Sequence, residues 1–480
     1  MTREPAPVLM WFRQDLRLSD NPALLAAAAS GAPVICVYVL DDVSPGVWKR
    51  GGASRWWLHH SLASLDKDLR AFGAGLTLLR GDARTVIPDL VKASGAHAVY
   101  WNRRYEAWAR TRDEAIKTSL KQAGVEARSF NGSLIVEPWD IATKKGAPYR
   151  VFTPFWKALQ ASHAPPEPAG RPSKLQVIEG PGGEDLASWG LLPTKPDWAG
   201  GLRDAWTPGE ASAQGRLGEF IANRVKAYAG TRNLPAEHGT SRLSPHLHFG
   251  EISPRQVWHG VEQAGLTGSE GGRTYLSEIG WREFSYNLLY HFPDLPDANF
   301  QPRFDRFDWT GTPDQLEAWK RGQTGYPIVD AGMRELWHTG WMHNRVRMIT
   351  ASFLIKDLFI DWREGEAWFW DTLVDADLAS NAASWQWTAG SGADAAPYFR
   401  IFNPVSQGEK FDPDGAYVRK WIPELAGLDA DVIHAPWTAG GLALARAGVK
   451  LGTDYPEPMV DHAGARKAAL AAFEKIKDIA

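Results

Sequence analysis

The sequence predicts two folded parts of different class. An α/β domain with a five-stranded, doubly wound parallel sheet occupies residues 1–130, a mostly α-helical domain occupies 206–480, and a linker over 131–205 joins them. Three observations carry this. At 480 residues the chain exceeds one ordinary core. Its first 130 residues alternate short apolar runs with helical patterns. Beyond residue 206, apolar residues recur at helical spacing and β-branched alternation nearly vanishes.

The strands read in order as VLMWF (8–12), PVICVYVL (33–40), LTLLR (76–80), AHAVYWN (96–102) and VEARSF (125–130). Each of the first four precedes a helical stretch, the pattern of right-handed βαβ units. The first strand runs into WFRQDLRLSDNP, with no glycine-rich dinucleotide fingerprint and no Walker A motif. The sheet therefore offers no recognisable phosphate cradle. Segment 163–174, HAPPEPAGRPSK, has connector composition. GRLGEFIANRVKAYA and RMITASFLIKDLFIDW show the helical period of the second domain.

Net charge is −3, so no global basic field points to nucleic acid, though a local basic patch is compatible with it. The single cysteine, Cys36, excludes an internal disulfide and a thiolate metal cluster and suggests a reducing, cytoplasmic setting. No secretory signal or membrane-length apolar run is expected. The 24 tryptophans are the one abnormal count, and most are expected to be packing residues.

Four stretches combine polar and aromatic residues beyond what a core needs. GTSRLS (239–244) places hydroxyls before a helix, which suits either an ordinary N-cap or a phosphate site. YLSEIGWREFSYNLLYHF (275–292) sets Glu278 and Arg282 at i,i+4 beside Trp281, either a solvated ion pair or a cleft-facing carboxylate. TGYPIVDAGMRELWHTGWMHNRVRM (324–348) crowds Trp341, His343, Asn344, Arg345 and Arg347. His343 has no ligand at metal spacing and reads as structural. VDADLASNAASWQW (374–387) offers Asp375 and Asp377 as an acid/base pair or as metal ligands, with too few further oxygens for a hard cation.

These blocks, with WFRQDLRLSDNPAL and DAAPYFRIFNPVSQGEKFD, resemble the photolyase/cryptochrome family, in order and along essentially the whole chain. In detail the wording is similar to bacterial cyclobutane pyrimidine dimer (CPD) photolyases of the class nearest plant cryptochromes, class III. The resemblance implies an enzyme that uses FAD, reduced to FADH−, to split pyrimidine dimers in UV-damaged DNA under blue light, and it implies a monomer. It assigns Tyr228, Thr240, Ser241, Arg242, Leu243 and Ser244 to the FAD phosphates. Arg282, Asn344, Arg347, Asp375, Asp377 and Asn381 are assigned to the flavin shell.

By the same resemblance, Trp281 and Trp387 stack on the flipped lesion, and Glu278, Asn344 and Met348 contact it. Trp385, Trp362 and Trp309 carry electrons to oxidised flavin, and Arg232, Arg345 and Arg400 meet DNA phosphates. Asn381 marks a photolyase, since plant cryptochromes carry Asp there and animal ones Cys. Asn344 and Met348 stand where the (6-4) photolyases place histidines. A cryptochrome-type photoreceptor without repair activity is the alternative. The expected antenna is 5,10-methenyltetrahydrofolate, with a deazaflavin or FMN as alternative. The enterobacterial folate pair Asn-Glu is replaced here by Trp108 and Ala109.

Overall fold

The computed structural model describes residues 5–477. They divide into two compact units. One comprises the described residues up to Ala199, with Trp206–Lys226 and Ser241–Pro293. The other comprises Gly200–Ala205, Ala227–Thr240 and the described residues from Asp294 onward.

The first unit holds the sheet. Its strands are β1 (Val8–Phe12), β2 (Val34–Leu40), β3 (Thr77–Arg80), β4 (Ala98–Asn102) and β5 (Glu126–Phe130), in the order β3-β2-β1-β4-β5. Every pairing is parallel. β1, β2 and β4 are buried along their whole length, as strands covered on both faces must be, and this is why they read as unbroken apolar runs. β5 lies at an edge and carries alternating exposed residues. Helices Pro22–Ala29, Gly52–Arg70, Ala83–Ser94 and Ala107–Gln122 follow the first four strands.

Doubly wound sheets take ligands at the crevice where strand order reverses. Here the carboxyl ends of β1 and β4 are filled by the chain's own polar groups. Asn102 donates to Asp15 Oδ2 at 2.6 Å and to Asn21 Oδ1 at 2.7 Å, and Arg13 pairs with Asp113 at 2.7 Å. The segment that lacks a phosphate cradle thus forms a buried hydrogen-bonded plug.

The second unit is helical, with a core running from Trp319 to Tyr455. Four consecutive elements run through this core: the helix Asn344–Ser352, a π-helical turn Phe353–Asp357, and the helices Trp362–Thr372 and Leu378–Ala389. No described helix is long and apolar enough to cross a membrane.

Candidate flavin and lesion site

Within the helical unit, Asp375 and Asp377 precede the helix Leu378–Ala389 and do different work. Asp375 accepts from Arg347 Nη2 at 2.8 and 3.1 Å, and Arg347 Nε also holds the Met342 carbonyl at 2.8 Å. Asp377 is the N-cap, its Oδ1 accepting from Ser380 N at 2.9 Å. Both carboxylates are engaged in structure, and no cluster of three or more candidate metal ligands exists among the described residues.

One turn into that helix, Asn381 is buried. Its Nδ2 donates to the Glu366 carbonyl at 3.1 Å, which leaves Oδ1 as an acceptor with no protein donor among the described residues. Glu366 escaped the sequence reading. It is 1% exposed, its Oε1 has no hydrogen-bond partner, and burial, with Asp297 nearby, pushes its carboxyl well above the usual range. A lone glutamate in an aromatic-rich helix carries no periodic signal; only the packing of the helix Leu378–Ala389 on Trp362–Thr372 reveals it.

The unfolded chain releases the Glu366 proton in the ordinary carboxylate range, whereas burial makes the folded chain hold it to higher pH. The cost of burying this group therefore grows as pH rises above that range. We expect Glu366→Gln to raise the thermal midpoint at pH 7, with the gap closing towards pH 4. A pH-independent gap would contradict a Glu366 carboxyl raised by burial.

Asn344 opens its helix and is exposed, and Met348 follows one turn later, half-buried on the same face. His343 caps that helix, its Nδ1 accepting from Arg345 N at 3.2 Å. Burial, then Arg347, Arg345 and Arg232, lower its pKa to about 4, so it is neutral and structural. Arg345 clamps Asn233 Oδ1 at 2.9 Å and senses Arg232, which places these two guanidiniums near one another. Arg400 is exposed on a separate loop.

Trp385 and Trp362 lie in the core, with half-buried Trp309 packed against it. Each has other ring or polar neighbours. Trp385 meets Phe369 at 5.0 Å and Trp319 at 6.3 Å, Trp309 meets Phe307 at 4.6 Å, and Trp362 donates to Asn299 Oδ1 at 3.0 Å. Gly365 makes room for Trp385: a Cβ there would stand 2.1 Å from the indole. Trp387, two residues beyond Trp385, is half-buried.

In the first unit, the helix Glu270–His291 carries Glu278, Trp281 and Arg282. Trp281 is half-buried, with one face stacked on Phe152 at 3.8 Å and 10°. Arg282 turns to the Ser133 carbonyl at 2.8 Å and to Glu283 at 3.4 Å, so the pairing with Glu278 suggested by their spacing is replaced by a tie to segment 133–137. Burial pushes Glu283 up to about 7 while it accepts from the Ile135 and Val136 amides.

Ser241 bonds the Tyr275 phenol, and Arg242 adopts a left-handed φ of 52° and lies 4.3 Å over Trp206. Leu243 precedes the helix Ser244–Phe249 without a side-chain cap, so the GTSRLS hydroxyls do not form an ordinary N-cap. Tyr228 is buried and Thr240 half-buried, both in the helical unit.

At the sequence's departure from the enterobacterial folate pattern, Trp108 meets two guanidiniums, at 4.6 Å from Arg104 and 5.2 Å from Arg112. Neither Trp108 nor Ala109 supplies an amide or carboxylate side chain.

The residues present suit a flavin. An open amide oxygen at Asn381, a guanidinium at Arg347 held by one carboxylate, and an acceptor at Asp377 match a ring system edged with N–H and C=O groups. Residues 275–475 match the family model described as the FAD binding domain of DNA photolyase, and residues 8–173 match the DNA photolyase model. A protein of Agrobacterium fabrum named deoxyribodipyrimidine photo-lyase is 54% identical, over 99% of each chain. Cryptochrome-1 of Arabidopsis thaliana is 40% identical, over 95% of this chain and 69% of its own. The solved structure of a bacterial class III photolyase from Agrobacterium tumefaciens superposes with a TM-score of 0.96 at 53% identity, covering 99% of both chains. The chain carries an FAD-binding domain and belongs to the photolyase/cryptochrome family.

Proposed function

We propose that the protein is a deoxyribodipyrimidine photolyase that repairs cyclobutane pyrimidine dimers in DNA under blue light. The observation that carries the reading is Asn381. Its nitrogen is committed to Glu366, so an uncharged oxygen acceptor remains, suited to the N5–H of a reduced flavin. A carboxyl or thiol in its place would bring a titratable proton. The photo-lyase name of the Agrobacterium fabrum relative supports the same reading over a photoreceptor.

When bound, reduced FAD supplies the light-driven electron that opens the cyclobutane ring and takes it back. The chain's residues do the rest. Tyr228, Thr240, Ser241, Arg242, Leu243 and Ser244 hold the cofactor's phosphates. Arg282, Asn344, Arg347, Asp375, Asp377 and Asn381 orient its ring. Arg232, Arg345 and Arg400 meet DNA phosphates, which makes binding salt-dependent.

Photolyases are among the enzymes that extrude their target nucleotide from the stack. Trp281 and Trp387 receive it, at about 1–3 kcal/mol of stacking per base. Glu278, Asn344 and Met348 fix its orientation. Trp385, Trp362 and Trp309 return oxidised cofactor to its active state. The antenna is 5,10-methenyltetrahydrofolate, held by contacts other than positions 108–109, with a deazaflavin or FMN as the alternative.

The test is to incubate the reduced protein with a thymine-dimer oligonucleotide under blue light and measure restored thymine. Light-dependent restoration is expected. Its absence, with the flavin verified as reduced, favours the photoreceptor.

A further inference from the structure

Lys356 is 1% exposed, in the π-helical turn Phe353–Asp357. Buried lysines are rare and usually pair with carboxylates. This one has no carboxylate within ion-pair distance among the described residues. Neighbouring Asp357 is engaged elsewhere, its Oδ1 accepting from His462 Nδ1 at 2.5 Å. The Lys356 amine instead donates to the Arg400 carbonyl at 3.0 Å and lies 5.1 Å over the Tyr398 ring, which stacks on Phe473 at 4.6 Å.

The loop it holds has two further ties. Ala396 N donates to the Trp387 carbonyl at 3.2 Å, and Phe402 N donates to Ser352 Oγ at 3.3 Å. Between these ties the loop exposes Arg400 and Phe399, the latter at 65%. A π-turn is a common device for redirecting a side chain at a functional site. An amine buried without a counter-charge costs stability, and what it secures here is one carbonyl on the loop tied to Trp387.

We propose that Lys356 is a positioning residue for DNA engagement, its buried amine fixing the loop that presents Phe399 and Arg400 to the damaged strand. The inference rests on the repair reading. The groups facing the amine are Asp357, Arg400, Tyr398 and, through Asp357, His462. Burial lowers the amine to about 7, Arg400 lowers it further and Asp357 opposes. Below that value the bond to the Arg400 carbonyl is charge-assisted, and above it the bond weakens.

Wild type is first shown to repair dimers in light; failure there counts against the function, not against Lys356. In Lys356→Met, dark affinity for a thymine-dimer duplex, measured by fluorescence anisotropy, is expected to weaken about tenfold. Repair per absorbed photon at saturating DNA and flavin content stay unchanged. The thermal midpoint at pH 6 rises, because a buried cation has gone. Wild-type affinity weakens as pH rises from about 6 to about 8.5, and this component is missing in the variant. Unchanged affinity overturns the proposal, as does affinity lost together with flavin and a lowered midpoint, which marks a merely structural lysine. If the variant does not fold, a flat wild-type affinity profile across pH 7 overturns it.

Discussion

Replacing Trp385 by phenylalanine is expected to abolish the photoreduction of oxidised flavin and to leave light-driven repair by pre-reduced protein nearly intact. Trp385 is 2% exposed in the helical core, edge-on to Phe369 and Trp319. Phenylalanine fills much the same space, so the packing loss is about 1–2 kcal/mol. What disappears is a ring that gives up an electron readily. Repair by protein whose flavin is already reduced does not call on that electron. Absorbance under blue light, with and without chemical pre-reduction, separates the two activities. Loss of both would contradict the role given to Trp385.

Replacing Asp375 by alanine is expected to have a large structural effect. The Asp375 side chain is 3% exposed and that of Arg347 24%, and each completes the other. Removing one partner of a buried pair costs about 3–5 kcal/mol. Arg347 is partly open, so a cost near 3 kcal/mol is expected. Arg347 Nε also ties the Met342 carbonyl ahead of the helix Asn344–Ser352, so Asn344 and Met348 lose their frame too. The variant should lose bound flavin and melt earlier, and Asp375→Asn should do so less. Flavin-to-protein absorbance and the thermal midpoint measure both effects, and wild-type values in the alanine variant would remove Asp375 from the flavin frame.

The sheet was legible because burial on both faces demands uninterrupted apolar strands, and VLMWF, VICVYVL and AVYWN are of that kind. β5 lacked that signal; its sequence EARSF is half polar, and its place in the alternation revealed it. The site was much less legible. Spacing alone made Asp375 and Asp377 look like an acid/base pair, because nothing local shows that one meets an arginine 28 positions away and the other caps a helix. Spacing also set Glu278 opposite Arg282, whereas Arg282 is claimed by a carbonyl 149 positions earlier. Glu366 and Lys356 are ordinary in composition, and only burial makes them notable. The blocks in family order supplied the roles that such long-range contacts conceal.

The helix Leu378–Ala389 also fixes what this stretch can become over time. Asn381 and Trp385 share one face at i,i+4, while Trp387 lies about 200° round from Trp385. A substitution alters one of these groups. A single inserted or deleted residue between 381 and 387 turns everything beyond it by about 100°, carrying the indole at 387 away from its side. Divergence in this stretch should therefore proceed by exchange of letters at constant length, and gaps in the alignment of relatives should fall outside it.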